Sequence, residues 1–342
     1  MNNKRESNIE LLRIVSMIMI IGLHYFNGSM GGALKYTNSG GVNWYIIRFI
    51  ESMFIMSVNI FVLITGFCMI NKKEVRLKKI IDLYIKLTIL NVFIYITFII
   101  LKIETFSVKL LIKNSLPLLY SEYWFFKIYI ALFLLIPFIN SLLTRLDERE
   151  YKRLLIILIV VFSIYDSIMT NKVVNDGGYG IVNFIVIYTI GGYIRLHYKN
   201  RRSSLFWSSG YMLFSIITFG SIFIPIINNN SWNYNFITNI LGAVCLFNAF
   251  NKLKIRNNFI NKIASSIFGI FILHLNPYLL NIQYKIAKTH LFWNSKYMII
   301  HFLITCISIF FIFVLLDKIT EKIINLINIK TLEKIDSLKI SI

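Results

Sequence analysis

The feature that most constrains this chain is a succession of apolar segments, each close to twenty residues long, separated by short polar stretches. Ten can be marked, near residues 9–28, 44–70, 83–101, 123–142, 154–170, 180–198, 204–227, 234–251, 262–282 and 297–316. A helix needs about 20 apolar residues to cross the hydrocarbon core, where each backbone N–H and C=O must be satisfied within the segment. The pattern predicts an all-α, polytopic membrane protein with ten transmembrane helices, occupying residues 1–316. Residues 317–342 repeat Ile, Leu and Lys at helical spacing, as expected of an amphipathic helix on the cytoplasmic membrane face. With 57% of 342 residues hydrophobic and 15% charged, no stretch is left over for a soluble domain.

The formal charge of +20 raises the question of nucleic acid, and its distribution answers it. Outside the apolar segments, 23 Lys and Arg fall at the two ends and in every second connection, against 8 in the alternate connections. The positive-inside rule then places both termini in the cytoplasm of a multi-pass inner-membrane protein. The basicity is a topology signal, and no nucleic-acid partner is expected. Lys4 and Arg5 precede a short apolar run, as in a signal peptide, but Arg13 and His24 inside that run favour a retained helix. Cys68, Cys245 and Cys306 lie far apart within apolar runs, which suits packing rather than a metal cluster or a disulfide framework.

Ionisable groups inside a span cost roughly 2.5–3.5 kcal/mol each and face the bundle interior or a wet cavity. Arg13 and His24 stand eleven residues apart on the first segment. At about 100° per residue they return to within roughly 20° of one face, with a rise of about 16 Å. A cation near one end and an imidazole near the other suit a long anionic substrate; the competing reading has Arg13 snorkelling and His24 capping the outer end. On the second segment Glu51 and Asn59 are eight residues apart, near one face. Glu51 lies at the depth of His24, where it either orients the imidazole or pairs with Arg48. Asn59 either satisfies helix contacts or meets substrate. Lys127 is an interfacial or a ligand-binding lysine. His274 falls mid-span, as a pocket residue or a ring bonded to a helix carbonyl.

Several stretches resemble one family. ESNIELLRIVSMIMIIGLHYF has the arginine, ten residues, then histidine of the first helix of integral-membrane acyltransferases of the acyltransferase-3 type. VNIFVLITGF resembles the family's V-D-x-F-F-x-x-S-G-F, with Asn59 and Thr65 as replacements. RLKKIIDLY resembles R-x-x-R-[IL]-x-P-x-Y, with Arg76, Lys79 and Tyr84 in place and Asp82 where proline is usual. YWFFKIYIALFLLIPFIN and SIFGIFILHLNPYLL are similar to its fourth-helix and late-helix segments.

The resemblance implies transfer of an acyl group, often acetyl, from cytoplasmic acyl-CoA to a hydroxyl of an extracytoplasmic or lipid-linked polysaccharide. It makes His24 the expected general base or acyl carrier, since such a step needs a base near neutrality. Arg13 would hold the donor, and Arg76 and Lys79 the nucleotide end of CoA at a basic mouth. His274 and Lys127 become pocket residues. No bound cofactor or metal is expected, because no metal-ligand or phosphate-loop motif is present. A transporter of lipid-linked sugar or polysaccharide is the alternative. Against it stand the lack of paired, broken segments in two halves and the position of the imidazole above a cationic clamp.

Overall fold

The computed structural model describes residues 6–120 and 123–336, with side chains as far as Glu321. Among the described residues every regular element is helical. Six helices are long and apolar enough to cross a membrane: α1 (Ser7–Phe26), α2 (Val42–Met69), α3 (Leu77–Ile100), α4 (Trp124–Leu143), α9 (Asn258–Leu275) and α10, whose apolar part is Met298–Glu321. Between them lie α5 (residues 148–168), α6 (Ile181–Leu196), α7 (Ser204–Ser221) and α8 (Ile237–Asn251). Of these, α6 and α8 are apolar but shorter.

Local chemistry sets several boundaries that hydropathy blurs. The fifth segment begins earlier than expected, at Glu148, because Asp147 and Glu150 form a reciprocal capping box. It passes through a π-helical turn at Val160–Ile164 before ending at Ile168. The second segment is interrupted at Ile55 and Met56, between Val42–Phe54 and Ser57–Met69. Glu51 and Asn59 therefore sit on separate helical pieces rather than on one continuous face.

The ninth segment stops at Leu275, short of the expected residue 282. Pro277 disfavours helix at the residue before it, and Asn276 instead caps a new short helix, Pro277–Ala287. His274 is thereby moved from mid-span to the last turn of its helix. The boundary expected at 316/317 falls within α10, which continues unbroken from Met298 to Asp336. Asp317 is completely buried rather than the first residue of a surface tail. The side chains of the amphipathic stretch from residue 322 onward lie outside the described residues.

The end of the bundle where α1 begins is here called the proximal face, and the end where α1 finishes the distal face. The buried residues of the helices form two hydrophobic cores, and α1 serves both. Ile9, Leu12, Met19 and Leu23 enter one core with α2, α4, α6 and α8; Ile14, Met17, Ile21 and Tyr25 enter the other with α3, α9 and α10. Arg13, Ile20 and His24 fall in the seam between these two faces and remain half-buried. Ile20 touches both cores.

Two glycines in the family-like segments have packing roles. A Cβ on Gly66 of α2 would strike the Tyr188 carbonyl of α6, and one on Gly191 would strike the Leu63 carbonyl. The two helices thus meet backbone to backbone, as small residues permit in membranes. Gly269 of α9 lies directly against the Asp317 carboxylate. Asp317 pairs with Lys86 of α3 at 2.6 Å, so one ion pair ties three helices together.

Removing one partner of a buried pair strands the other charge, a loss of roughly 3–5 kcal/mol. Asp317→Ala should therefore lower the thermal midpoint of the detergent-solubilised protein sharply. Lys86→Leu combined with Asp317→Leu should recover much of that loss.

Candidate active site

The apolar run of α1 folds as one uninterrupted helix, which carries Arg13 near its proximal end and His24 in its last turn. His274 occupies the last turn of α9. Both imidazoles therefore reach the distal end of the seam, where they stack with ring centroids 5.0 Å apart.

Their hydrogen bonds fix the tautomers. His274 Nδ1 lies 2.9 Å from the Ile270 carbonyl, which can only accept, so Nδ1 carries the proton. The Nε2 atom of a neutral ring is then an acceptor. It lies 3.1 Å from His24 Nδ1, which must donate. What remains on His24 is Nε2, with an unshared lone pair. His274 itself is fully buried, and the Gln283 amide donates to its carbonyl at 3.2 Å. Just beyond the helix end, Asn276 donates to Asn91 of α3, which also accepts from Tyr123.

The orientation of His24 thus comes from His274, and not from Glu51 as its depth in the sequence suggests. Among the described residues Glu51 pairs with neither His24 nor Arg48. The Arg48 guanidinium turns away to the Leu34 carbonyl at 2.9 Å and stacks 3.8 Å from the Trp44 ring. Glu51 is 6% exposed, and its Oε2 has no hydrogen-bond partner. Asn59 is 1% exposed; it donates to the Tyr234 carbonyl at 2.7 Å and accepts from Asn183 at 3.4 Å. Its two ends hold protein segments together, as the helix-contact reading of this residue expects. Lys127 is exposed, while its neighbour Trp124 turns into the bundle.

At the proximal end Arg13 Nη1 donates to Glu10 Oε1 at 2.6 Å. The i, i+3 spacing of that pair is a signal the sequence carries and the motif reading passes over. Arg195 of α6 escapes the sequence reading as well, since it sits at the edge of an apolar run. Its guanidinium lies 4.9 Å from the Phe67 ring. Arg76 and Lys79 are exposed at the start of α3. The Lys79 ammonium reaches over the Phe133 ring at 5.7 Å.

From that ring a succession of aromatic contacts climbs the seam. Phe133 meets Tyr129 at 6.4 Å, Tyr129 meets Phe125 at 5.9 Å, and Phe125 meets Phe271 at 5.9 Å. Phe271 meets His274 at 6.2 Å. Phe125, Tyr129 and Phe133 share one face of α4 by their spacing of four. The arrangement provides cations at one end, rings along the length and an available imidazole lone pair at the other. Such a site can bind an elongated anion and remove a proton from a group brought to the distal end.

Among the described residues no group of three or more His, Cys, Asp or Glu is placed to hold a metal ion. Comparison with curated proteins and with solved structures returned no match in either case. The family model described as an acyltransferase domain matches residues 6–320. That covers nearly the whole chain, from the first described residue of the cationic end to just past the Lys86–Asp317 pair. On this match the chain belongs to the acyltransferase-3 family, and it is a membrane acyltransferase.

Proposed function

We propose that the chain takes an acyl group, acetyl in the simplest case, from cytoplasmic acyl-CoA and esterifies a hydroxyl of an extracytoplasmic or lipid-linked polysaccharide. The observation that carries this reading is the lone pair on His24 Nε2, fixed by the His274–Ile270 relay at the distal end of a helix whose other end bears Arg13. The excess of Lys and Arg on the proximal side supports a cytoplasmic proximal face and cytoplasmic termini. On this reading α5, α6, α7 and α8 complete ten crossings. A sixteen-residue α6 rises only about 24 Å, which suits a helix buried among others rather than facing thick lipid.

In the reaction the nucleotide of CoA stays at the basic mouth, held by Arg76, Lys79 and the neighbouring lysines. Arg13 offers its remaining N–H groups to phosphate or to the pantetheine amides, while the arm extends along the rings of α4. At the distal end the acceptor hydroxyl gives its proton to His24 Nε2 as its oxygen attacks the thioester carbon. The resulting imidazolium keeps its Nδ1–H bond to His274. Collapse of the tetrahedral intermediate releases the CoA thiolate, which takes up the proton and leaves the ester on the glycan.

The test uses membrane vesicles with the proximal face outward, labelled acetyl-CoA and full-length protein. Acetyl-CoA should drive label into glycan with saturating dependence. Arg13→Ala should raise the acetyl-CoA concentration for half-maximal rate about tenfold, the scale of one lost charge-assisted contact, and Arg13→Lys should fall between. An unchanged donor dependence in Arg13→Ala removes Arg13 from the donor site.

A further inference from the structure

On the distal face three rings form a packed cluster that the reaction described above does not use. Trp124 stacks on Tyr234 at 5.6 Å with planes 23° apart, and Tyr179 meets Trp124 at 4.5 Å and Tyr234 at 4.8 Å. Their placement is built rather than incidental. The Tyr234 N–H donates to the Gly177 carbonyl at 2.8 Å, knitting two distal loops together. Gly178, at φ +80°, lets the Asn235 backbone approach more closely than a Cβ would allow. Asn59 holds the Tyr234 carbonyl from below. Trp232 donates to Ser52, the neighbour of Glu51, at 3.2 Å, which docks the same loop on α2.

Glu51 is the chain neighbour of Ser52, to which the loop that carries Tyr234 is docked through Trp232. Its carboxylate is more than nine-tenths buried, with Oε2 unpartnered. A buried acceptor without a donor is costly, and such groups in native proteins commonly await a ligand or water. Interfacial belt aromatics offer a competing account, but those turn toward lipid. Here Tyr234 is 7% exposed and stacked within the bundle, while Tyr179 is 46% exposed. The cluster also joins the base. Trp124 meets Phe125 at 6.0 Å, and Phe125 leads through Phe271 to His274, whose ring stacks on His24.

We propose that Trp124, Tyr179, Tyr234 and Glu51 form the acceptor subsite, which seats a sugar unit of the glycan while a neighbouring hydroxyl reaches His24. A sugar ring presents a face of C–H bonds that packs on the electron-rich face of an aromatic ring, and its hydroxyls hydrogen-bond to a carboxyl group. Rings beside a buried carboxyl group therefore suit a polyhydroxylated sugar, whose hydroxyls can meet the carboxyl oxygens. The inference rests on the transferase reading, since a subsite for the acceptor has meaning only if transfer occurs.

The experiment uses detergent-solubilised full-length protein, so that donor and glycan reach both faces, and varies the acceptor. The acceptor is the producing cells' own surface glycan, stripped of esters with alkali. Trp124→Ala and Glu51→Gln should each raise the glycan concentration for half-maximal transfer at least tenfold. The acetyl-CoA dependence should stay within twofold, and Trp124→Phe should restore most of the glycan affinity. Unchanged glycan dependence in both variants overturns the subsite. So does a parallel weakening for donor and glycan, which marks a structural role; Glu51→Gln, close to isosteric, guards against misfolding of the tryptophan variant. If the unaltered protein transfers no label, the transferase reading itself fails, whereas transfer by His24→Ala removes only His24 as the base. That outcome is separate from failure of the subsite alone.

Discussion

Cells carrying His24→Ala in place of the unaltered chain, at equal membrane abundance, should display surface glycan that has lost its ester groups while glycan export continues. The expected loss in transfer rate is about 10²–10⁴-fold, the contribution of a positioned general base. The reason is specific to one atom. The variant frees His274 Nε2, but that ring is centred 5.0 Å from the place of the His24 ring and is held there by its bond to the Ile270 carbonyl, too far back to replace the lost base. The neighbouring Glu51 makes no hydrogen bond to the pair. Alanine also leaves the helix intact, because its propensity exceeds that of histidine. Ester analysis of purified glycan together with quantification of that glycan decides the matter. Retained esters remove His24 from the reaction, whereas disappearance of the polymer from the surface points to transport.

The second large effect concerns a residue that is not expected to touch substrate. His274→Ala should lower the maximal rate by roughly 10²-fold while leaving the acetyl-CoA dependence near that of the unaltered protein. Without an acceptor opposite Nδ1, His24 is free to rotate and to exchange tautomers, and a histidine in the wrong tautomer cannot serve as base. His274→Gln should recover part of the rate, since an amide oxygen can accept from the same N–H. A purely structural role predicts otherwise: both variants would lose abundance or thermal stability together, with no rescue by glutamine. The maximal rate and the donor dependence, measured on membranes matched for protein, separate the two cases.

The two histidines also show how far the sequence can be read. The run from Ser7 to Phe26 announces an apolar helix, and counting along it places Arg13 and His24 on one side. That inference needs only local geometry, and the side chains do lie together in the seam between the two cores. The partner of His24 is another matter. His274 is 250 positions away, and its depth depends on where α9 stops. Hydropathy carries the segment past Pro277, whereas Asn276 ends it by capping the next helix. Moving that end is what brings the two imidazoles to one level.

Glu51 gives the opposite lesson. Its spacing from Arg48 suggests a pair on one helix, but the guanidinium finds the Leu34 carbonyl and the Trp44 ring. Spacing shows which groups can meet, and competing partners elsewhere in the chain decide whether they do. Lys86 and Asp317 are each readable as charges near apolar runs. Their pairing, with Gly269 making room, requires three helices to be in place.

The alternation of apolar and basic stretches was enough by itself to specify a helical membrane protein, because hydrocarbon tolerates no unsatisfied backbone and the counting is local. So were the motifs that signalled the family. The tertiary structure alone decided which nitrogen of His24 is free, what holds it so, and which rings cluster at the distal end. Those facts depend on contacts between distant segments, which periodicity along the chain does not encode.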